Sequence, residues 1–346
     1  LTAAGSPAGD VDGAVALAGA YLDARNYARA HQVLRDALTG SPNSAVLLGQ
    51  LARVQVLTRD YASAARSAYA ALAIAPEDGF AMRIYAIALD GCGWLDDALW
   101  MAWRVATTYP DDRLTHFVYA DLLLKAAQPQ AALYVVGESL RLDPANADSH
   151  VLRGQILARL RRFDESTASY EEALRLDPGN ASAVHNIAVN GLARSQWSSA
   201  LRGFLGAARL DPELADLARR NIGTALAKSL RLATFGVVVL AFVAIGTVES
   251  TDPGSSTVEA RVAAAVFTVA LLAGLVWMCR IVPLRTWRSV LRIKPVLVLR
   301  LGLVVAAIPV GALATFGMAD VVVAVAAPML LLAGILVALI GRITGA

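Results

Sequence analysis

The sequence predicts an all-α chain in two parts, a solenoid of helical hairpins followed by a four-helix bundle of membrane-spanning length. Three observations carry this reading. Six prolines recur at one fixed spacing, small residues recur in columns between them, and the apolar excess of the chain is confined to its last third. The 346 residues are 57% hydrophobic and only 17% charged, with a mean hydropathy of +0.53, whereas soluble domains carry about 25% charged residues. Residues 1–229 hold 22 Lys/Arg against 24 Asp/Glu and residues 230–346 hold 9 against 4, so the net charge of +3 divides into −2 and +5. A sequence pI near 9.0 would raise nucleic acid as a partner, but the basic excess lies among long apolar runs and reads as membrane topology. Nucleic acid is therefore set aside.

The repeat comes first in the chain. Pro42, Pro76, Pro110, Pro144, Pro178 and Pro212 are each 34 residues apart, a period that marks a repeat array. With the proline at position 32, the units run 11–44, 45–78, 79–112, 113–146, 147–180 and 181–214. Position 8 then reads Ala18, Ala52, Ala86, Ala120, Gly154, Ala188, and position 20 reads Ala30, Ala64, Ala98, Ala132, Ser166, Ala200. Small residues in these columns let two helices cross closely. Position 17 reads Tyr27, Tyr61, Leu95, Pro129, Phe163, Trp197, a bulky plug before the second helix in five units of six. Leu-Asp-Pro recurs at 142–144, 176–178 and 210–212, where Pro ends the second helix and Asp can accept from free backbone amides.

On these residues the stretch 11–214 resembles a tetratricopeptide repeat array, and the fifth unit is nearest the family pattern. The third and fourth depart from it, with Leu95 and Pro129 in the aromatic column, Val105 and Ser139 where position 27 is usually alanine, and Gly91-Cys92-Gly93 at the interhelical turn. The resemblance implies antiparallel helix pairs whose stacking makes one continuous core and a right-handed superhelix. It also implies a protein-binding groove lined by first helices, with Arg53, Phe80, Arg83, Ile87, Asp90, Phe117, Asp121, Leu124, Gln155 and His185 among its residues. Val15 and Gly19 stand where relatives that grip acidic chaperone tails carry Lys and Asn, so that specialised clamp is not expected. Residues 1–10 are read as a flexible N-terminus without a signal peptide, and 215–229 as a capping and linker helix.

Residues 230–346 read as the membrane domain, with spans at about 232–248, 262–279, 296–316 and 321–340. The stretch 296–341 is far too long to be one span, at roughly 1.5 Å per residue, so a turn is placed at Gly317-Met318-Ala319-Asp320, and Arg300 is expected to snorkel to the interface. Arg280, Arg285, Arg288, Arg292 and Lys294 join the second and third spans with no acid among them. By the positive-inside bias the array and both termini are then cytoplasmic. The Arg-rich, Ala-rich composition suggests a bacterial inner membrane. Between Pro283 and Pro295, Arg285, Trp287, Arg288, Arg292 and Lys294 are read as a membrane-surface group facing anionic lipid head groups, on either a short interfacial helix or an irregular loop. Ala270 with Gly274 and Ala307 with Gly311 are small pairs that let spans pack as an anchor, a homo-oligomer or part of a membrane complex.

Chemistry is not expected. Cys92 and Cys279 are the two cysteines and imply no disulfide framework. The four histidines, His31, His116, His150 and His185, lie in the array without the spacing of a zinc site, so neither metal nor cofactor is expected. No nucleotide-binding glycine motif occurs, and the spans hold no Ser or His for an intramembrane hydrolase. The sequence therefore reads as a non-enzymatic, membrane-anchored scaffold or adaptor. The alternative is an accessory subunit of a transport or secretion complex whose spans have a working role.

Overall fold

The computed structural model describes residues 7–249, 256–282, 284–293, 295–316 and 320–343. The chain forms two compact units, Leu1–Pro178 and Gly179–Ala346. The first is a run of five helical hairpins: α1 (Pro7–Asp23) with α2 (Tyr27–Gly40), α3 (Ala45–Leu57) with α4 (Tyr61–Ile74), α5 (Gly79–Gly91) with α6 (Leu95–Thr108), α7 (Arg113–Lys125) with α8 (Pro129–Leu142), and α9 (Ala147–Arg159) with α10 (Phe163–Leu176). Within this unit each second helix also packs against the first helix of the next hairpin, so that neighbours bury what one hairpin cannot.

The small columns carry that packing. Ala30, Ala64, Ala98 and Ala132 are fully buried, and Ser166, which replaces alanine in the fifth hairpin, is buried with its Oγ donating to the Gly154 carbonyl at 2.7 Å. The departures in the third and fourth hairpins are absorbed locally. Leu95 packs on the third hairpin's core, Pro129 occupies the first turn of α8, where a missing N–H costs nothing, and the Ser139 Oγ bonds the Ser149 Oγ at 3.0 Å.

One turn joins the two helices of every hairpin. Arg25, Arg59, Gly93, Ala127 and Arg161, all at repeat position 15, have φ of 54°, 62°, 85°, 57° and 60°. The next amide reaches back, as from Asn26 N to Tyr21 O at 2.7 Å and from Asp60 N to Gln55 O at 2.9 Å, which satisfies carbonyls the helix end leaves open. Position 34 starts the following helix. Ser44, Asp78, Asp112 and Asn146 each accept from an amide of the first turn beyond them. His116 and His150 tie down the proline loops, each with Nε2 bonded to a proline carbonyl, Pro110 O at 2.7 Å and Pro144 O at 3.0 Å.

The second unit opens on a sixth hairpin, α11 (Ala181–Ala193) and α12 (Trp197–Leu210), with the same turn at Ser195, φ 61°. After a short 3-10 turn at Pro212–Leu214, α13 runs from Ala215 to Glu249 without a break. The expected capping helix and first span are thus parts of one helix. Then follow α14 (Ser256–Ile281), α15 (Leu284–Ile293), α16 (Pro295–Phe316) and α17 (Asp320–Ile343). Pro309 and Pro328 lie within α16 and α17 and break neither. Of the turn expected at 317–320, residues 317–319 lie outside the described residues and Asp320 begins α17. Arg300, expected to snorkel, is 2% exposed and turned into the bundle.

Two cores hold this unit together. In one, Ala200, Leu201 and Phe204 of the hairpin pack with Ile222, Leu226 and Leu230 of α13, Met278 of α14 and Trp287 and Val290 of α15. The other, inside the bundle, joins Val237, Leu240 and Ala244 to Ala264, Val304, Ala307, Val323 and Ala327. Gly311 allows the closest approach: a Cβ there would collide with Thr268 Oγ1 and come within 2.9 Å of Leu240. Of the two small pairs, Ala307-Gly311 is therefore a helix contact, whereas nothing lies within 4 Å of a Cβ on Gly274. Ala270 and Gly274 instead line an open apolar cleft of 400 Å³.

Candidate interaction site

The residues nominated for the groove fall into three physical groups. Charges on first helices tie adjacent hairpins together. Arg83, beside the Phe80 ring at 5.8 Å, forms an ion pair with Asp112, the cap of α7; Lys125 bridges Asp90 at 2.7 Å and Asp121 at 2.8 Å; and Arg113 reaches Asp143 at 3.2 Å. Burial disfavours the Lys125 ammonium, but its hydrogen bonds to Asp121 and Asp90 outweigh that effect, and its pKa is raised. These side chains are occupied in holding hairpin to hairpin.

The apolar members are half-buried. Phe80 packs with Val56 and Ile84, within contact distance of Gly49, while Phe117 and Leu124 pack on the core of the fourth and fifth hairpins. Ile87 and Gln155 are also half-buried. That leaves Arg53 of α3 and, two hairpins further on, Leu114 of α7 at 40% exposure as solvent-facing first-helix positions. His185 departs from the expectation. It lies in the second unit, 5% exposed, with its ring 5.2 Å from that of Phe204 and Nε2 3.1 Å from Asn221 Nδ2. Burial lowers its pKa.

The membrane-surface group is also rearranged. The segment 284–293 is helical rather than irregular, but Trp287 is 6% exposed and belongs to the core between α13, α14 and α15. It is a packing residue, drawn inward because α15 lays its apolar face on the bundle. Arg288 and Arg292 face outward. The Arg285 side chain and Lys294 lie outside the described residues.

Sequence reasoning missed the aromatics of the second helices. Tyr69 of α4, Trp100 and Trp103 of α6 and Tyr134 of α8 are 65%, 55%, 50% and 75% exposed. Arg104 lies over the Trp100 ring at 5.7 Å. A 390 Å³ cleft beside these residues is lined by Tyr69, Tyr85, Trp100 and Arg104. The signal was present at repeat positions 22 and 25, which hold Trp100, Tyr134, Tyr69 and Trp103. Among the described residues no three of His, Cys, Asp and Glu come together to hold a metal ion.

Fold and surfaces together define a class: a tetratricopeptide-type hairpin solenoid followed by four helices long and apolar enough to cross a membrane. The tetratricopeptide repeat family matches residues 147–180, the fifth hairpin. No curated protein matches the chain by sequence. Among solved structures, pilF of Pseudomonas aeruginosa is similar at 21% identity and a TM-score of 0.50, over 60% of this chain and 94% of that one. A thermophilic tetratricopeptide protein of Thermus thermophilus has 18% identity and a TM-score of 0.49, over 53% and 99%. Yeast Tom70 has 18% identity and a TM-score of 0.49, over 62% and 46%. At such identities the pilF likeness shows the fold of the hairpins.

Proposed function

We propose that this chain is a membrane-anchored, non-enzymatic scaffold that recruits a protein partner through its hairpin array. The array and both termini are cytoplasmic at a bacterial inner membrane, and the apolar helices fix the assembly there. The observation that carries the membrane reading is the outer surface of those helices. Phe242, Val266, Val325, Met329 and Leu332 are 60–72% exposed, apolar side chains whose exposure water would oppose and lipid accepts. The scaffold reading rests on the hairpin fold and on first helices where Arg53 and Leu114 remain open and Phe80, Ile87, Phe117, Leu124 and Gln155 are half-buried.

A second surface competes for the partner, because the exposed aromatics of α4, α6 and α8 are of the types that dominate interface hot spots. Affinity purification of the full chain from gentle detergent separates the two. Arg53→Glu with Leu114→Ser is expected to abolish co-purification, while Trp100→Ser with Trp103→Ser leaves it intact. The opposite pattern moves recognition to the second helices. Retention by both variants moves it to the bundle, in favour of an accessory subunit of a transport or secretion complex.

A further inference from the structure

We propose that the outer groove between the second and third hairpins binds an extended, proline-rich peptide segment that carries carboxylates. The groove follows α4, with Met82 and Tyr85 of α5 as its floor, and consists of two adjoining clefts. At the C-terminal end of α4 the 390 Å³ cleft reaches Trp100 and Arg104 of α6. At the N-terminal end a cleft of 780 Å³ is lined by Arg59, Tyr61, Arg66 and Trp94. Tyr69 and Tyr85 line both, with their rings 6.1 Å apart, and so stand between the two. Arg53 and Leu114 line neither, so the site is separate from the first-helix surface of the proposed scaffold and does not depend on it.

Length, hydrogen-bonding character and charge together select the occupant. From Tyr61 to Ala73 the wall is about 18 Å long at ~1.5 Å per residue, which matches about six residues of polyproline II helix at ~3.1 Å each. The polar groups are nearly all donors. The indole N–H groups of Trp94 and Trp100 and the guanidinium groups of Arg59, Arg66 and Arg104 can only donate, and the hydroxyls of Tyr69 and Tyr85 can do so as well. Asp60 is the one carboxylate of the described lining, and its Oδ1 already accepts from the Ser63 amide at 3.2 Å as the cap of α4. Such a surface is matched by a segment rich in acceptors and poor in donors. Proline offers a carbonyl and no N–H, and polyproline II leaves its carbonyls without internal partners. A helical ligand would keep its carbonyls to itself, and an ordinary strand would bring N–H groups that find no acceptor. Aromatic-lined grooves elsewhere take proline-rich segments in this way. Three arginines against one engaged aspartate favour carboxylates on the segment. Arg66 gives one donor to Ser63 Oγ at 2.9 Å and Arg104 lies over Trp100, contacts that hold both cations at the groove while other N–H groups face outward.

The test titrates the full chain, in a neutral detergent, into the fluorescein-labelled peptide Glu-Pro-Pro-Leu-Pro-Pro-Glu and follows anisotropy. Saturable binding is expected, weakened at least about tenfold when alanines replace the prolines and the preformed extended shape is lost. Tyr69→Ala with Trp100→Ala, at positions 65% and 55% exposed, is expected to weaken binding at least about tenfold. Trp103→Ala with Tyr134→Ala removes exposed aromatics that line neither cleft and is expected to bind like the wild type, as is Arg53→Glu with Leu114→Ser. Arg66→Glu is expected to narrow the preference for this peptide over one with lysines in place of its glutamates. Circular dichroism follows the melt of each variant, and Arg66→Glu, a single exposed change, carries the test should the aromatic pair disturb the fold. No saturable binding by the wild type, equal affinity for the alanine peptide, or an undiminished response of both groove variants overturns the proposal. Loss of binding in Arg53→Glu with Leu114→Ser alone moves the peptide to the first helices and overturns it too. Co-purification of a partner is scored separately, so either reading can fail without the other.

Discussion

The array of five hairpins and the bundle of long helices have similar interiors and opposite exteriors. Inside, both bring helices together on alanines and glycines, Ala64, Ala98 and Gly154 in the array and Ala264, Ala307 and Gly311 in the bundle. Outside, the array presents ion pairs and a few aromatics, whereas the bundle presents valine, leucine and phenylalanine. Close helix crossing is a geometric requirement that does not depend on the surrounding solvent. On the proposed membrane reading, the exterior is set by the solvent each region meets.

The largest disturbance is expected where the bundle is tightest. Gly311→Leu puts a side chain into Thr268 and Leu240 and is expected to destabilise the bundle by about 3 kcal/mol or more, seen as loss of a cooperative melt in detergent. Gly274→Leu, facing open space, is expected to leave that melt unchanged. In the array, Gly91→Ala would drive a Cβ into the Tyr61 ring and is expected to lower stability by roughly 1–3 kcal/mol, measured by urea unfolding. An equal response at Gly311 and Gly274 would show that the bundle is not packed as described.

A smaller effect tests the shared turn. Arg59 and Arg161 hold a left-handed conformation that L residues adopt at a cost. Each changed to Gly is expected to gain about 0.5–1 kcal/mol, and Gly93→Ala to lose a similar amount, by chemical denaturation of the full chain in detergent.

The smallest effect is a pH dependence confined to the second unit. Burial holds the His185 pKa below its ordinary 6.5, so the fold favours the neutral ring. Its contribution is complete above the unfolded pKa and is lost as pH falls through the lowered folded value. Hydrogen exchange in α11 and α13 is expected to accelerate as pH falls below the ordinary histidine value, after correction for the intrinsic pH dependence of exchange, and His185→Gln to flatten that profile.

How legible each region was in the sequence follows from the same contrast. The hairpins were readable because Pro42 to Pro212 and the alanine columns impose one period, and the apolar helices because their runs match a bilayer. Side-chain direction was not readable. Nothing in the spacing of Arg300 says that it turns inward rather than toward the interface, and Trp287 shares an amphipathic pattern with residues that stay outside. His185 sits at a groove position, yet Phe204 and Asn221 enclose it. The groove charges were visible as residue types, but their pairing across hairpins, Arg83 with Asp112 and Lys125 with Asp90, depends on how neighbours stack. The left-handed turn at position 15 was hidden because Gly93 alone there is glycine among five occupants of the first unit.

The central claim, that two equally open surfaces face different solvents, can be read from two positions. Tyr134 of α8 is 75% exposed and Phe242 of α13 is 72% exposed. Each is replaced by Cys in a Cys92→Ala, Cys279→Ala background and treated with a water-soluble maleimide in permeabilised native membranes. Maleimide reacts with the thiolate, which does not form in hydrocarbon. The account expects rapid labelling at Tyr134→Cys and none at Phe242→Cys until the bilayer is dissolved. Labelling of both at similar rates in intact membranes would contradict it and place the bundle in water.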